Sequence, residues 1–194
     1  IRVQKSTNDY AEYLQTMKTI ETDCILLYEI NLDTQKPAIK KNLHETTKLH
    51  YDFSRLTFSS SSVAAVNDFK PGGTHLLTQG DTTGIVIRAG SDDLGRWSYQ
   101  TLVGRNNKLL TIISSYQVCD QALKTAGKVS SLTAYSQQTS LLRLQGRNDD
   151  PRKAFIADLR TFLHHLRTQN HSFLIIGDFN DTLDEHYDGI TKLA

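Results

Sequence analysis

The apolar positions fall into two rhythms. From Asp9 to Ile20 they recur at Tyr10, Tyr13, Leu14, Met17 and Ile20, a helical spacing with Asn8 or Asp9 as a cap. The run D-C-I-L-L-Y-E, residues 23–29, is short and continuously apolar, as in strands buried on both faces. Lys36 to Leu49, opened by Pro37, predicts a polar surface helix. Tyr51 to Ser62 alternates in part and is β-like, and Pro71-Gly72-Gly73 marks a turn. The segments T-H-L-L-T-Q, G-I-V-I-R-A, W-S-Y-Q-T-L-V and L-L-T-I-I-S-S-Y follow as strands, with R-N-N-K as the hairpin turn before the last. These strands predict a β-meander over the middle third.

Helical spacing returns from Thr133 to Leu144, and N-D-D-P breaks and restarts it. Phe155, Ile156, Leu159, Phe162, Leu163 and Leu166 form an amphipathic stripe. F-L-I-I-G-D closes the pattern as a further strand. The order of elements suits an α+β chain: a sandwich of two mixed β-sheets flanked by helices, four layers in all.

Composition narrows the class. A chain of 194 residues with 38% hydrophobic and 22% charged positions can bury a core and is globular. No apolar run reaches the roughly 18 residues of a membrane span, and the N-terminal residues lack a signal-peptide core. Lys and Arg total 22 against 21 Asp and Glu, so the net charge of +1 gives no whole-chain nucleic-acid footprint. The clusters Lys36, Lys40, Lys41 and Arg143, Arg147, Arg152, Lys153 are expected to be solvated faces. Cys24 and Cys119 match no zinc spacing; Cys24 is expected to be a small buried hydrophobe, and a reducing intracellular location, nuclear or cytoplasmic, is the default.

Three strands end in polar groups: one in Glu29, one in Tyr116, and the last in Asp178 and Asn180. If those ends meet, two carboxylates, an amide and a phenol converge. Such hard oxygen donors suit Mg2+ or Mn2+ and not zinc. Magnesium held by one or two carboxylates, with its other positions open, is the usual arrangement for phosphoryl transfer.

Leu27-Tyr28-Glu29, Ser115-Tyr116-Gln117-Val118 and Gly177-Asp178-Phe179-Asn180 resemble motifs of the endonuclease/exonuclease/phosphatase superfamily. Gly72-Gly73-Thr74 and Leu94-Gly95-Arg96-Trp97 are similar to its retroelement and reverse-transcriptase-associated branch. The resemblance implies a metal-dependent phosphodiesterase, an endonuclease acting on DNA. It implies that Glu29 ligates the metal with Asp178 as the second metal-site acid, and that Asp178 also orients or deprotonates the attacking water. Asn180 would hold the scissile phosphate or metal, and Tyr116 would hydrogen-bond a phosphate oxygen. A small-molecule or lipid phosphatase on the same fold, or a non-catalytic relic, are the alternatives.

The sequence departs from the family pattern in places. Tyr28 stands where the family has Gln. The family's Asn-bearing first strand and its closing Ser-Asp-His strand have no counterpart, which predicts one incomplete domain over residues 1–194. His186 is expected at the surface, and His75, His164 and His165 are expected to be structural or solvated.

Overall fold

The computed structural model describes residues 7–64, 69–119, 133–181 and Leu193. The expected surface position of His186 lies outside them.

Helix α1 spans Thr7–Met17, so Asn8 and Asp9 lie inside its first turn, where the acid complements the helix dipole. Strand β1 is Cys24–Tyr28. Helix α2 is Pro37–His50, with proline at its first position as the sequence predicts. Strands β2 (Ser54–Ser59) and β3 (Thr74–Gln79) follow, then a one-turn helix α3 (Asp81–Gly84) that the sequence pattern did not predict. Strands β4 (Val86–Ser91), β5 (Trp97–Val103) and β6 (Leu109–Tyr116) come next. The R-N-N-K turn is a 3-10 turn in which Asn106 and Asn107 both take left-handed backbone, which asparagine tolerates. Helices α4 (Ala134–Leu144) and α5 (Pro151–Thr168) lead to β7 (His171–Asp178).

The strands form two sheets. One has the order β1-β3-β2 and is antiparallel; the other has the order β4-β5-β6-β7 and is mixed, with β6 and β7 parallel. The expected meander is therefore split. Gly80, at φ 57°, and α3 carry the chain from one sheet to the other, so β2 and β3 do not continue into β4.

Helices α1 and α2 cover the first sheet through Tyr10, Leu14, Ile39 and Leu43, packed with Leu27 and Leu77. Helix α5 covers the second through Phe155, Leu159, Leu163 and Leu166, packed with Trp97 and Ile113. The result is a four-layer α/β/β/α sandwich. Cys24 is half-buried rather than fully buried, because it opens an edge strand. Its thiol is pushed up to about 11 by burial, then by Asp23. On β7, an edge strand of the second sheet, Leu174 and Ile176 are 48% and 44% exposed.

The layer between the sheets is only partly apolar. Leu76, Val86, Leu102 and Ile112 fill one part of it. Elsewhere Thr74 donates to Ser98 (3.0 Å), Thr78 to Gln100 (2.8 Å) and Ser114 to the Leu27 carbonyl (3.0 Å). The Gln100 amide also faces the Arg55 carbonyl and the Thr57 hydroxyl, both at 3.0 Å. Buried polar groups must find partners, and a bond across two layers has one good register. These bonds set the end of β1 against the end of β6.

His75 is fully buried, with Nε2 2.9 Å from the Tyr10 hydroxyl. Burial, with a smaller contribution from His44, lowers it to about 3, so the folded chain keeps it neutral. The unfolded ring protonates near pH 6.5. Between those values the unfolded state binds the extra proton, so stability rises with pH across the window and is lost as pH falls. One proton contributes a slope of about 1.4 kcal/mol per pH unit. Urea unfolding between about pH 4 and 6 should therefore show a flatter pH dependence for His75→Gln than for the wild type, by about that slope. Equal slopes would mean that His75 is accessible to solvent.

Candidate functional site

Strand β1 runs directly into Glu29, whose φ of 51° lies in the left-handed region; Asn31 follows at 56°. A carboxylate-bearing residue there is strained unless its surroundings hold it. The Pro71-Gly72-Gly73 turn does so. Ile30 and Asn31 donate their backbone N–H groups to the carbonyls of Gly73 and Gly72, and Gly72 returns its own to the Asn31 side chain (3.0 Å). Gly73 has φ 84°, and a side-chain carbon there would stand 2.8 Å from the Ser59 carbonyl oxygen. Only glycine fits that approach.

Lys70 anchors the same loop from beneath. Its backbone N–H donates to Asn31, and its ammonium bonds Asp33 and the Ser61 carbonyl, each at 2.6 Å. Both charged side chains are almost wholly buried. Nothing local in the sequence marks this pair, because the partners lie on separate loops.

Strand β6 delivers Tyr116 opposite. Its hydroxyl donates to Glu29 Oε1 at 2.7 Å, so the two sheets touch at their ends through a predicted pair of site residues. Burial, then the hydrogen bond and charge of Glu29, with smaller contributions from Cys119 and Asp178, raise the phenol well above its usual range. Tyr116 therefore keeps its proton while it donates to Glu29.

Strand β7 lies parallel to β6, with Asp178 beside Tyr116 in register. Each residue of the Gly-Asp-Phe-Asn turn has a physical task. A side-chain carbon at Gly177 would overlap the Ser115 carbonyl group, its carbon only 2.6 Å away. Asp178 Oδ1 accepts the Asn180 backbone N–H at 2.9 Å and fixes the turn, and Asn180 takes a left-handed φ of 45°. Phe179 packs edge-on against Phe155 of α5. The Asn180 side chain donates to the Gln117 carbonyl (2.7 Å) and accepts from the Cys119 thiol (3.1 Å). The amide expected to face a phosphate or metal thus also ties two loops together.

Glu29, Tyr116, Asp178 and Asn180 accordingly stand together where the sequence places them, at one end of the sandwich. The donor set is Glu and Asp oxygens with one amide. Among the described residues no three His, Cys, Asp or Glu side chains form a metal-binding group. The oxygens present suit Mg2+, which keeps several waters and needs only one or two carboxylates.

No histidine of the described residues joins this end. His75 bonds Tyr10 in the core, and His171 bonds Thr111 (2.9 Å) at the far start of β7. An open cleft of about 350 Å³ beside His171, lined also by Ile87, Arg88 and Leu109, lies at that opposite end. The eight-residue strands separate it from Asp178 by roughly 23 Å, so it is not part of this site.

The backbone path has a counterpart among solved structures. The human Nocturnin catalytic domain, solved with bound sulfate, matches with a TM-score of 0.50 and 15% identity, covering 92% of this chain and 58% of that one. The chain has the endonuclease/exonuclease/phosphatase fold. ANGEL2, a 2',3'-cyclic phosphatase solved with adenosine-2',3'-vanadate, matches at TM-score 0.47 and 12% identity, over 90% of this chain and 44% of that one. No protein-family model matches the chain, and no curated protein does. The chain spans little more than half of the Nocturnin domain, and at such identity the likeness concerns the fold and not the chemistry. No helix among the described residues is long and apolar enough to cross a membrane.

The basic cluster expected as a solvated face is only partly so. Arg147 pairs with Asp149 and Asp158, and Arg96 with Asp92 and Asp158, all within 2.8 Å, tying the turn before β5 to α5. Arg152 is drawn inward to the site loops. Asp158 thus joins Arg147 of the cluster, 11 residues away, to Arg96 outside it, 62 residues away, which composition alone does not reveal.

Proposed function

We propose that the chain is a divalent-metal-dependent phosphodiesterase that cleaves nucleic acid by in-line attack of water. The observation that carries this reading is the Tyr116–Glu29 hydrogen bond across the sheets, with Asp178 beside Tyr116 on the next strand. The fold, shared with a domain that binds sulfate, an anion shaped like phosphate, adds support.

Glu29 would hold the metal, with Asp178 as the second acid near it. Mg2+ or Mn2+ there supplies positive charge for the phosphate oxygens. Asp178, fixed by its bond to the Asn180 N–H, orients the attacking water and takes its proton. The water oxygen bonds to phosphorus while the bond to the leaving oxygen breaks, and that oxygen is protonated from solvent. Asn180 Nδ2 has given one N–H to Gln117 and keeps a second for a phosphate oxygen. Tyr116, protonated by virtue of its burial, turns its hydroxyl from Glu29 to a phosphate oxygen when substrate enters. The likeness of Gly72–Thr74 and Leu94–Trp97 to retroelement endonucleases makes DNA the first substrate to test.

Supercoiled plasmid in Mg2+ should be nicked by the chain, with nicking lost on chelation. Phosphate release from soluble phosphomonoesters without nicking would move the substrate to a small phosphoester. Neither activity would leave an interaction module.

A further inference from the structure

The N-terminus of α5 is capped by the Asp150 carboxylate, which accepts the Arg152 and Lys153 backbone N–H groups and meets the partial positive charge of the helix end. The first turn itself holds Pro151, Arg152 and Lys153. That cap does not use the Arg152 side chain, so its position calls for another cause. That cause is visible in its contacts. Arg152 Nη1 donates to the Val118 carbonyl at 2.7 Å, and Nη2 lies 3.6 Å from Asp181 Oδ1. Val118 follows Tyr116 on the β6 exit, and Asp181 follows Asn180 on the β7 exit. One guanidinium therefore clips together the two loops that carry three of the four site residues.

We propose that Arg152 is a positioning residue for the Asp178–Asn180 turn, an inference that rests on the phosphodiesterase reading for its consequence in catalysis. The bonds it backs join the two exits directly. Gln117 N–H reaches the Asp178 carbonyl at 2.9 Å, and Asn180 Nδ2 reaches the Gln117 carbonyl at 2.7 Å. Both span the gap that the guanidinium closes from the α5 side. The planar fork matters, since lysine offers one compact charge and cannot hold a carbonyl and a carboxylate in the same fixed geometry. Without the clip the β7 exit swings away from the β6 exit. Asp178 then loses its alignment with Tyr116, and a displacement near 1 Å is worth about 100-fold in rate.

The test has two readouts on Arg152→Ala, Arg152→Lys and Asp181→Asn, the last breaking the clip from its other side. Amide hydrogen exchange at Gln117 and Asn180 should accelerate at least about tenfold in Arg152→Ala, while Ile113 in the middle of β6 stays protected. In the hydrolysis assay kcat should fall about 10–100-fold with KM little changed, with partial recovery in Arg152→Lys. Unchanged exchange at Asn180 overturns the proposal, as does a loss confined to KM. A chain with no hydrolysis at all would refute the phosphodiesterase reading instead, and the exchange measurement would still decide the role of Arg152.

Discussion

Replacing Lys70 by methionine is expected to cost about 3–5 kcal/mol of folding stability. The ammonium is 1% exposed and sits 2.6 Å from Asp33, itself 3% exposed. Removing the cation leaves a buried carboxylate without its counter-charge, and the desolvation of that carboxylate is the larger part of the loss. Asp33 keeps only the Gln35 backbone N–H at 3.2 Å among its described hydrogen-bond donors. A typical domain has a total stability of about 5–15 kcal/mol, so the variant should be close to unfolding at room temperature. The double variant Lys70→Met, Asp33→Asn removes both charges and should recover at least about 1 kcal/mol over the single one. Urea unfolding followed by circular dichroism measures both. A loss below about 1 kcal/mol in Lys70→Met is the value typical of exposed pairs and would show that the pair is solvated.

Asp178→Asn is expected to lower plasmid nicking by about 10²–10⁴-fold, the usual contribution of a positioned general base. The substitution is close to isosteric and keeps an Oδ1 that can accept the Asn180 N–H, so the turn should survive. What disappears is the negative charge beside Tyr116 and the capacity to take a proton from water. Thermal stability should change little. A variant with unaltered stability and unaltered nicking would remove Asp178 from the mechanism. If nicking and stability fell together, the effect would be attributable to the fold.

Much of the architecture was legible because burial repeats locally. The α5 stripe reads correctly, since Phe155, Leu159, Leu163 and Leu166 are the residues it buries. The apolar runs at Ile25–Leu27 and Ile112–Ile113 read as strands for the same reason. The meander misled because alternation reports that a residue is in a strand and not which sheet the strand joins. Only Gly80 and the short α3 carry that information, and D-T-T-G resembles any polar turn.

The meeting of the polar strand ends was legible in the sequence, and the groups that support it were not. Glu29, Tyr116 and Asp178 stand at strand ends, where an apolar run meeting a polar residue is visible. The groups that hold those ends in register are Ser98, Gln100 and Ser114, polar residues that a pattern reading sends to the surface. They are buried because the interlayer is stitched by hydrogen bonds, a property of two sheets together. Lys70, Asp33 and Arg152 were missed for the same reason. Each side chain finds its partner only after the sandwich has closed.

The central claim is that Glu29, Tyr116, Asp178 and Asn180 form one cation-binding, phosphate-facing site. Titration of the folded chain with Mn2+, followed by paramagnetic broadening of backbone amide signals, tests it most directly. Broadening should begin at Glu29, Tyr116 and Asp178. The affinity should be weak, since an ion of this kind held by only one or two carboxylates keeps several of its waters. Glu29→Gln should abolish the effect at those three residues. Broadening that starts elsewhere on the surface and persists in Glu29→Gln would contradict the account, and the Gly-Asp-Phe-Asn segment would then be a turn and nothing more.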